Sequence, residues 1–214
     1  MKLVLATRNA DKVREIREAL EGLPIDISSL ESYPQIGEIP EEGETLEENA
    51  LTKAETVARE TGFPALADDT GLEVEALGGR PGVRSSRYAG EGATYDDNVR
   101  KLLEELGGVP SERRGAVFRT VIAIAAPGKR SQTVEGVCRG VIMTDPRGSS
   151  GFGYDPVFTP QGSERTFAQM TLGEKNKISH RGKALAAARQ FTFEPATAGG
   201  EPTATWYPFV IDFD

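Results

Sequence analysis

The chain has 214 residues, 38% of them hydrophobic, and 33 acidic against 25 basic side chains give a formal charge of −8. That is apolar material enough for a packed domain and the wrong charge for gripping a polyanion over a broad face. One cysteine, Cys138, and one histidine, His180, exclude a disulfide framework within the chain, a zinc site built from His and Cys, and any Ser-His-Asp triad that does not use His180.

Residues 2–7 read as a short buried strand. The chain then passes Arg8 into a helix capped by Asn9, with Val13, Ile16, Leu20 and Leu23 on one face and Gly22 and Pro24 ending it. An acid-rich loop, Pro40 to Glu44, leads to a second helix. There Thr45 and Glu48 fit a capping box, and Leu46, Ala50, Ala54 and Val57 form the stripe. Residues 65–67 predict a short strand ending at Asp68-Asp69-Thr70-Gly71, and residues 78–92, dense in Gly, Arg and Ser, predict a loop. A third helix is expected from about Asp96 to Leu106. Residues 116–126 and 132–142, joined at Pro127-Gly128, predict an antiparallel hairpin. A glycine-rich loop spans 146–155, a strand starts near Val157, and a last helix covers about His180 to Phe191. The order of elements implies an α/β or α+β fold around a mixed sheet. No apolar stretch approaches the ~18 residues of a membrane span, and the first apolar run is too short for a signal peptide. No Walker A, dinucleotide fingerprint or HExxH motif is present. A soluble cytoplasmic protein is expected.

Four clusters carry candidate chemistry, and each also has a plain structural reading. Thr7-Arg8-Asn9-Ala10-Asp11-Lys12 places a strand-to-helix turn where free N–H groups and the helix dipole favour an anion; the same residues make an ordinary N-cap. Asp68, Asp69 and the glutamates Glu41, Glu42 and Glu44 offer hard oxygen ligands suited to Mg2+ or Mn2+; they also suit a solvated turn. In the cluster from Gly148 to Pro156, Phe152 between Gly151 and Gly153 suits stacking on a base, and Phe152 and Tyr154 equally suit the core. Glu174 to Arg181 concentrates cations around His180, or starts a solvated helix capped by Ser179. The basic loop Arg80 to Arg87 and acids such as Glu15, Glu18, Glu104 and Glu105 read as surface. Together the four clusters are the components of a metal–nucleoside triphosphate site.

The segments TRNADK, EEGETLEENALTKAE, ADDTGLEVEALGGRPGVRSSRYAG, SSGFGYDPVF and EKNKISHRGKAL resemble the inosine/xanthosine triphosphate pyrophosphatases, in order, over roughly residues 1–191. The resemblance implies an elongated α/β fold, with a central mixed sheet flanked by helices, an antiparallel hairpin lobe and a nucleotide cleft between lobes. It implies one catalytic domain over 1–191 and leaves 192–214, with Trp206 and Phe209, as an extension without assigned chemistry. It further implies Mg2+-dependent cleavage of deaminated purine triphosphates to monophosphate and pyrophosphate, with Mn2+ a possible substitute. The implied state is a cytoplasmic homodimer without nucleic acid or membrane partners. Carried over position by position, Thr7, Arg8, Asn9, Ala10, Asp11 and Lys12 resemble the triphosphate loop. Asp69 resembles the general base and a metal ligand, with Asp68 and Glu41 its acidic partners. Thr70 stands at a substrate contact that is commonly serine. Phe152, Gly153, Tyr154 and Asp155 resemble the base loop, and Lys175, His180 and Arg181 the phosphate or 6-oxo contacts. Two other readings stay open: a nucleotide binder without hydrolysis, and a pyrophosphatase of the same fold acting on pyrimidine triphosphates.

Overall fold

The computed structural model describes residues 2–189 and the backbone of 197–198 and 201–202. Strand β1 (Lys2–Leu5) leads into helix α1 (Ala10–Ala19), as the first apolar run and stripe predict. Strand β2 (Asp26–Ser29) follows and was not expected, because Asp-Ile-Ser-Ser shows no apolar alternation. Its pairing with β1 supplies what its own sequence lacks. Helix α2 (Leu46–Thr61) starts at the Thr45–Glu48 capping box and ends at Gly62, whose φ of 71° only glycine adopts without strain.

Strand β3 runs from Ala65 to Val74, straight through the two aspartates and Thr70-Gly71. Asp is depleted in strands, so the sequence read the acids as the strand's end. Pairing of all ten β3 residues with β5 (Gly115–Ala125) and buried cationic partners override that preference. The expected loop at 78–92 contains a two-residue strand, β4 (Pro81–Gly82), which pairs with β3. Helix α3 (Tyr95–Glu105), strand β6 (Gln132–Ile142) and strand β7 (Phe158–Pro160) form near their expected positions. Helix α4 (Leu172–Ile178) is a further addition, started by a Thr171–Glu174 capping box. Helix α5 (His180–Ala188) then begins at Ser179. In the expected extension, Thr197–Ala198 (β8) pairs antiparallel with Glu201–Pro202 (β9); Phe191, Trp206 and Phe209 lie outside the described residues.

The main sheet has seven strands in the order β2-β1-β3-β5-β6-β7, with β4 beside β3. The β1 pairings are parallel and the others antiparallel, so the fold is α/β around a mixed sheet, as expected. The two-residue period of a strand sorts the core. Val4, Ala65, Ala67, Val121, Ala123 and Ala125 face α2, and their small size lets that helix approach closely. Leu3, Leu5, Leu66, Ile122 and Ile124 face α1 and α5. A third cluster, around Phe118, Phe158 and Phe167, lies over the far half of the hairpin beneath α3. No helix among the described residues is long and apolar enough to cross a membrane.

One glycine sets the seat of α5. A Cβ at Gly136 in β6 would overlap the His180 carbonyl and the Ala184 backbone, and would stand 2.9 Å from the Ala184 side chain. Gly136→Ala therefore pushes the first turn of α5 off the sheet. Overpacking of this kind costs about 1–3 kcal/mol. For a chain of this size the melting temperature falls by roughly 2–12 °C, and an unchanged thermal melt would contradict the close approach.

Candidate active site

Helix α1 supplies the first wall. Asn9 caps it, its Oδ1 accepting the N–H groups of Asp11 (3.0 Å) and Lys12 (3.1 Å). Thr7 Oγ1 accepts the N–H of Asn9 at 3.1 Å, closing the turn. Arg8 lines the cleft, yet its guanidinium donates to the carbonyls of Leu30 (2.9 Å) and Ile36, so it clasps the 30–36 segment. Asp11 pairs with Arg14 at 2.8 Å on the surface, and neither Asp11 nor Ala10 lines the cleft.

Because β3 continues through them, Asp68 and Asp69 point to opposite faces of the sheet. Asp69 faces α2. Its Oδ1 accepts from Lys53 Nζ at 2.9 Å, and its Oδ2 from Asn49 Nδ2 at 3.2 Å. Lys53 Nζ also reaches Glu41 Oε1 (2.7 Å) and the Asp68 carbonyl (2.8 Å). Arg87 donates to the Glu41 carbonyl at 2.9 Å. Asp68 faces α1 and α5 with its side chain fully buried. Its Oδ2 accepts from Arg181 Nε (3.1 Å) and Nη2 (2.9 Å). Lys12 Nζ lies 3.3 Å from Asp68 Oδ1, an ion-pair contact without hydrogen-bond geometry, and bonds the Asp68 carbonyl at 3.4 Å. The expected grouping of Asp68 with Asp69 and Glu41 is thus corrected: strand alternation separates the two aspartates, and Asp68 belongs to Arg181 and Lys12.

Charge balance follows this layout. Burial pushes the Asp69 carboxyl above its ordinary range even beside Lys53 and Lys12. Burial also pushes Asp68 upward, but Lys12, Arg181 and Lys53 outweigh it and hold the group far below. Lys53 is disfavoured by burial, yet Asp69, Glu41 and Asp68 raise it, so it stays charged. Lys12 is lowered, chiefly by burial.

The remaining residues meet behind Phe152. Glu15 was read as surface, and it is fully buried. It accepts from Lys175 at 2.6 Å and pairs with Arg181. Lys175 also pairs with Asp155, whose Oδ2 accepts the N–H of Phe152 at 2.9 Å. The Phe152 ring lies over Lys175 Nζ (5.1 Å) and near the Arg181 guanidinium (5.5 Å). Tyr154 is a core residue, its hydroxyl donating to the Ser85 carbonyl at 2.9 Å. Gly153 has a φ of 61° and nothing within 4 Å of where a Cβ would stand. Thr70 Oγ1 bonds Thr120 Oγ1 at 2.6 Å and is 3.3 Å from Arg181 Nη2. His180 is buried and stacks on Phe118 with centroids 4.4 Å apart, and its Nδ1 has no partner. Burial, with Arg181 and Lys175 nearby, lowers its pKa well below the ordinary value, so the imidazole is neutral.

Thr7, Asn9, Lys12, Glu41, Lys53 and Asp69 line a cleft of about 1890 Å3, with Arg84 and Arg87 of the basic loop on its wall. Phe152, Lys175, His180 and Arg181 do not line it; Lys175, His180 and Arg181 are buried and Phe152 is half-buried over them. Lys53, Asn49, Glu15 and Arg87 were missed in the sequence. Lys53 had a signal, because it falls on the buried α2 stripe between Ala50 and Val57, where a cation needs partners. Among the described residues no group of three or more His, Cys, Asp or Glu is placed to hold a metal. Glu41 and Asp69, meeting over Lys53 at the cleft wall, are the pair that fits one. Their hard oxygens suit Mg2+, which keeps waters and takes phosphate oxygens for the rest of its shell.

The Ham1 family model matches residues 3–191. A dITP/XTP pyrophosphatase of Geobacter sulfurreducens is 52% identical over 185 residues, covering 86% of this chain and 93% of that protein. The dITP/XTP pyrophosphatase of Bacillus subtilis is 48% identical over 182 residues, covering 85% and 92%. Among solved structures, a HAM1 protein from Coxiella burnetii superposes with a TM-score of 0.78 at 42% identity, covering 87% of this chain and 95% of that one. Matched along nearly the whole described fold, the chain belongs to the Ham1 family.

Proposed function

We propose that the chain is a nucleoside triphosphate pyrophosphatase that hydrolyses deaminated purine nucleotides, ITP, dITP and XTP, between the α- and β-phosphates. The observation that carries this is the wall where Lys12, in the first turn of α1, and Lys53 converge on the Asp68 carbonyl while Asp69 stands between Lys53 and Asn49. Lys12, Lys53 and the α1 N-terminus bind and orient the triphosphate. Asp69, raised by burial and held by Asn49, takes the proton of the attacking water. The water oxygen bonds to the α-phosphorus, the bond to the bridging oxygen breaks, and pyrophosphate leaves. Asp69 and Glu41 would hold Mg2+, which would neutralise charge on the phosphates.

At the base end we assign the 6-oxo contact to Arg181 and the neutral His180, whose Nδ1 has no partner; Arg181 already donates to Asp68 and Glu15, so reaching the pair requires their buried cluster to open toward the base. Phe152 offers the stacking face, and Gly153, Tyr154 and Asp155 set the loop's shape against Lys175. A 6-amino group leaves such donors unpaired, at about 1–3 kcal/mol each. Asp68 holds Arg181 in place and Thr70 braces the same guanidinium. The same reading makes the protein a cytoplasmic homodimer serving the nucleotide pool.

With Mg2+, the protein is expected to release pyrophosphate from dITP and XTP about tenfold faster than from ATP, an estimate from one unpaired donor. Orthophosphate as the product would reject the cleavage position, and fast dTTP turnover would reject the purine assignment. Tight binding without turnover would leave a binder.

A further inference from the structure

Tyr95 is an aromatic that the core does not need. It is 40% exposed. Its backbone is nonetheless fixed, because it is the first residue of α3 and lies inside the Thr94–Asp97 capping box. Asn98, one turn on, ties α3 to the basic loop, donating to the Ser86 carbonyl at 3.0 Å and accepting the N–H of Ala89 at 2.7 Å.

Both ends of the Tyr95 side chain meet groups of the nucleotide site. Asn9 Nδ2 donates to the Tyr95 hydroxyl at 2.8 Å. That bond has a directional consequence: Asn9 Oδ1 already accepts the N–H groups of Asp11 and Lys12, so its amide can face only one way, and Tyr95 receives the free end. The Tyr95 ring meets the ring of Phe152 with centroids 5.6 Å apart and planes at 45°. Phe152 is in turn the residue lying over Lys175 and Arg181.

We propose that Tyr95 is a positioning residue that couples the two ends of the nucleotide site, its hydroxyl fixing the Asn9 amide at the phosphate end and its ring fixing Phe152 at the base end. The inference rests on the nucleotide reading above. It adds that the phosphate turn and the base loop, far apart in sequence, are set against each other by one side chain from a third element.

The two halves separate by substitution. Tyr95→Phe removes the hydroxyl and keeps the ring; Tyr95→Ala removes both. The probes are dITP turnover with Mg2+ and inhibition of that turnover by tripolyphosphate, which has no base. Tyr95→Phe is expected to raise the tripolyphosphate inhibition constant about fivefold, the effect of one hydrogen bond. Tyr95→Ala is expected to match it on tripolyphosphate and to raise the dITP KM a further two- to tenfold, as loss of an aromatic pair does. The ring thus rescues the base end and leaves the phosphate end impaired. A thermal melt confirms that each variant is folded. A merely structural role would lower the active fraction, and so kcat, without separating the two probes. Variants within twofold of wild type on both probes would overturn the proposal, as would a Tyr95→Phe protein with unaltered tripolyphosphate inhibition. Failure of the nucleotide reading itself is distinguishable, because the wild-type protein would then not turn over dITP.

Discussion

Asp69→Asn is expected to lower kcat for dITP by about a thousandfold, within the range that removal of a positioned general base produces. The substitution keeps the volume and nearly the shape of the side chain, and the strand around it is paired on β5, so the wall is retained. What changes is the proton affinity. An amide cannot take a proton from water, whereas a carboxylate within hydrogen-bond reach of it can. Lys53 loses one carboxylate but keeps Glu41 Oε1 and the Asp68 carbonyl, and Lys12 is untouched. Triphosphate binding, measured by calorimetry with Mg2+, is expected to persist within about tenfold, the cost of one weakened charged contact, because Glu41 is kept as a carboxylate for the ion and the substituted side chain keeps an amide oxygen. The split between lost turnover and kept binding is the diagnostic. Near-normal kcat would remove Asp69 from the role of base, and loss of binding with kcat at saturation unchanged would make it a ligand-holding group only.

The sequence showed the site's components more clearly than their wiring. The Asn9 cap, the Thr45 box and the hairpin are local signals of spacing and residue type, and each forms where it was read. Strand β3 was misread because the evidence for it is nonlocal: ten consecutive register partners on β5 and a set of buried cations outweigh the poor strand preference of two aspartates. That single extension changes the chemistry, since strand alternation sends Asp68 and Asp69 to opposite faces. Glu15 was misread for a related reason. On α1 it lies beside the apolar stripe, not in it, and its partners Lys175 and Arg181 are about 160 residues away. Charge pairing at such separation leaves no periodic trace in either segment. Lys53 was readable in principle, as a cation at a core position of a helix.

The second large effect is on stability, and it falls on Glu15. Its carboxylate is fully buried between Lys175 (2.6 Å) and Arg181. Glu15→Gln keeps the shape and removes the charge, leaving two buried cations short of a counter-charge. Breaking one side of a buried pair costs about 3–5 kcal/mol. For a domain of this size that lowers the melting temperature by roughly 6–20 °C. Asp155 and Asp68 still face the same cations, which keeps the loss near the lower end. The pH dependence carries a sign that can be checked separately. Burial pushes Glu15 up, but Arg181 and Lys175 outweigh it, so its folded pKa lies below the ordinary 4.5. A depressed carboxyl contributes its full stability above the unfolded value, and the contribution disappears as pH falls through the folded one. Asp68, also depressed, acts in the same direction, whereas Asp155, raised by burial, acts against it. Wild-type protein is therefore expected to lose stability steeply below about pH 4.5, the unfolded carboxyl range, while Glu15→Gln starts lower and falls less over that window. Parallel acid limbs for the two proteins, in chemical denaturation followed from pH 7 to 3, would show that the Glu15 charge is not what the folded state gains from this cluster.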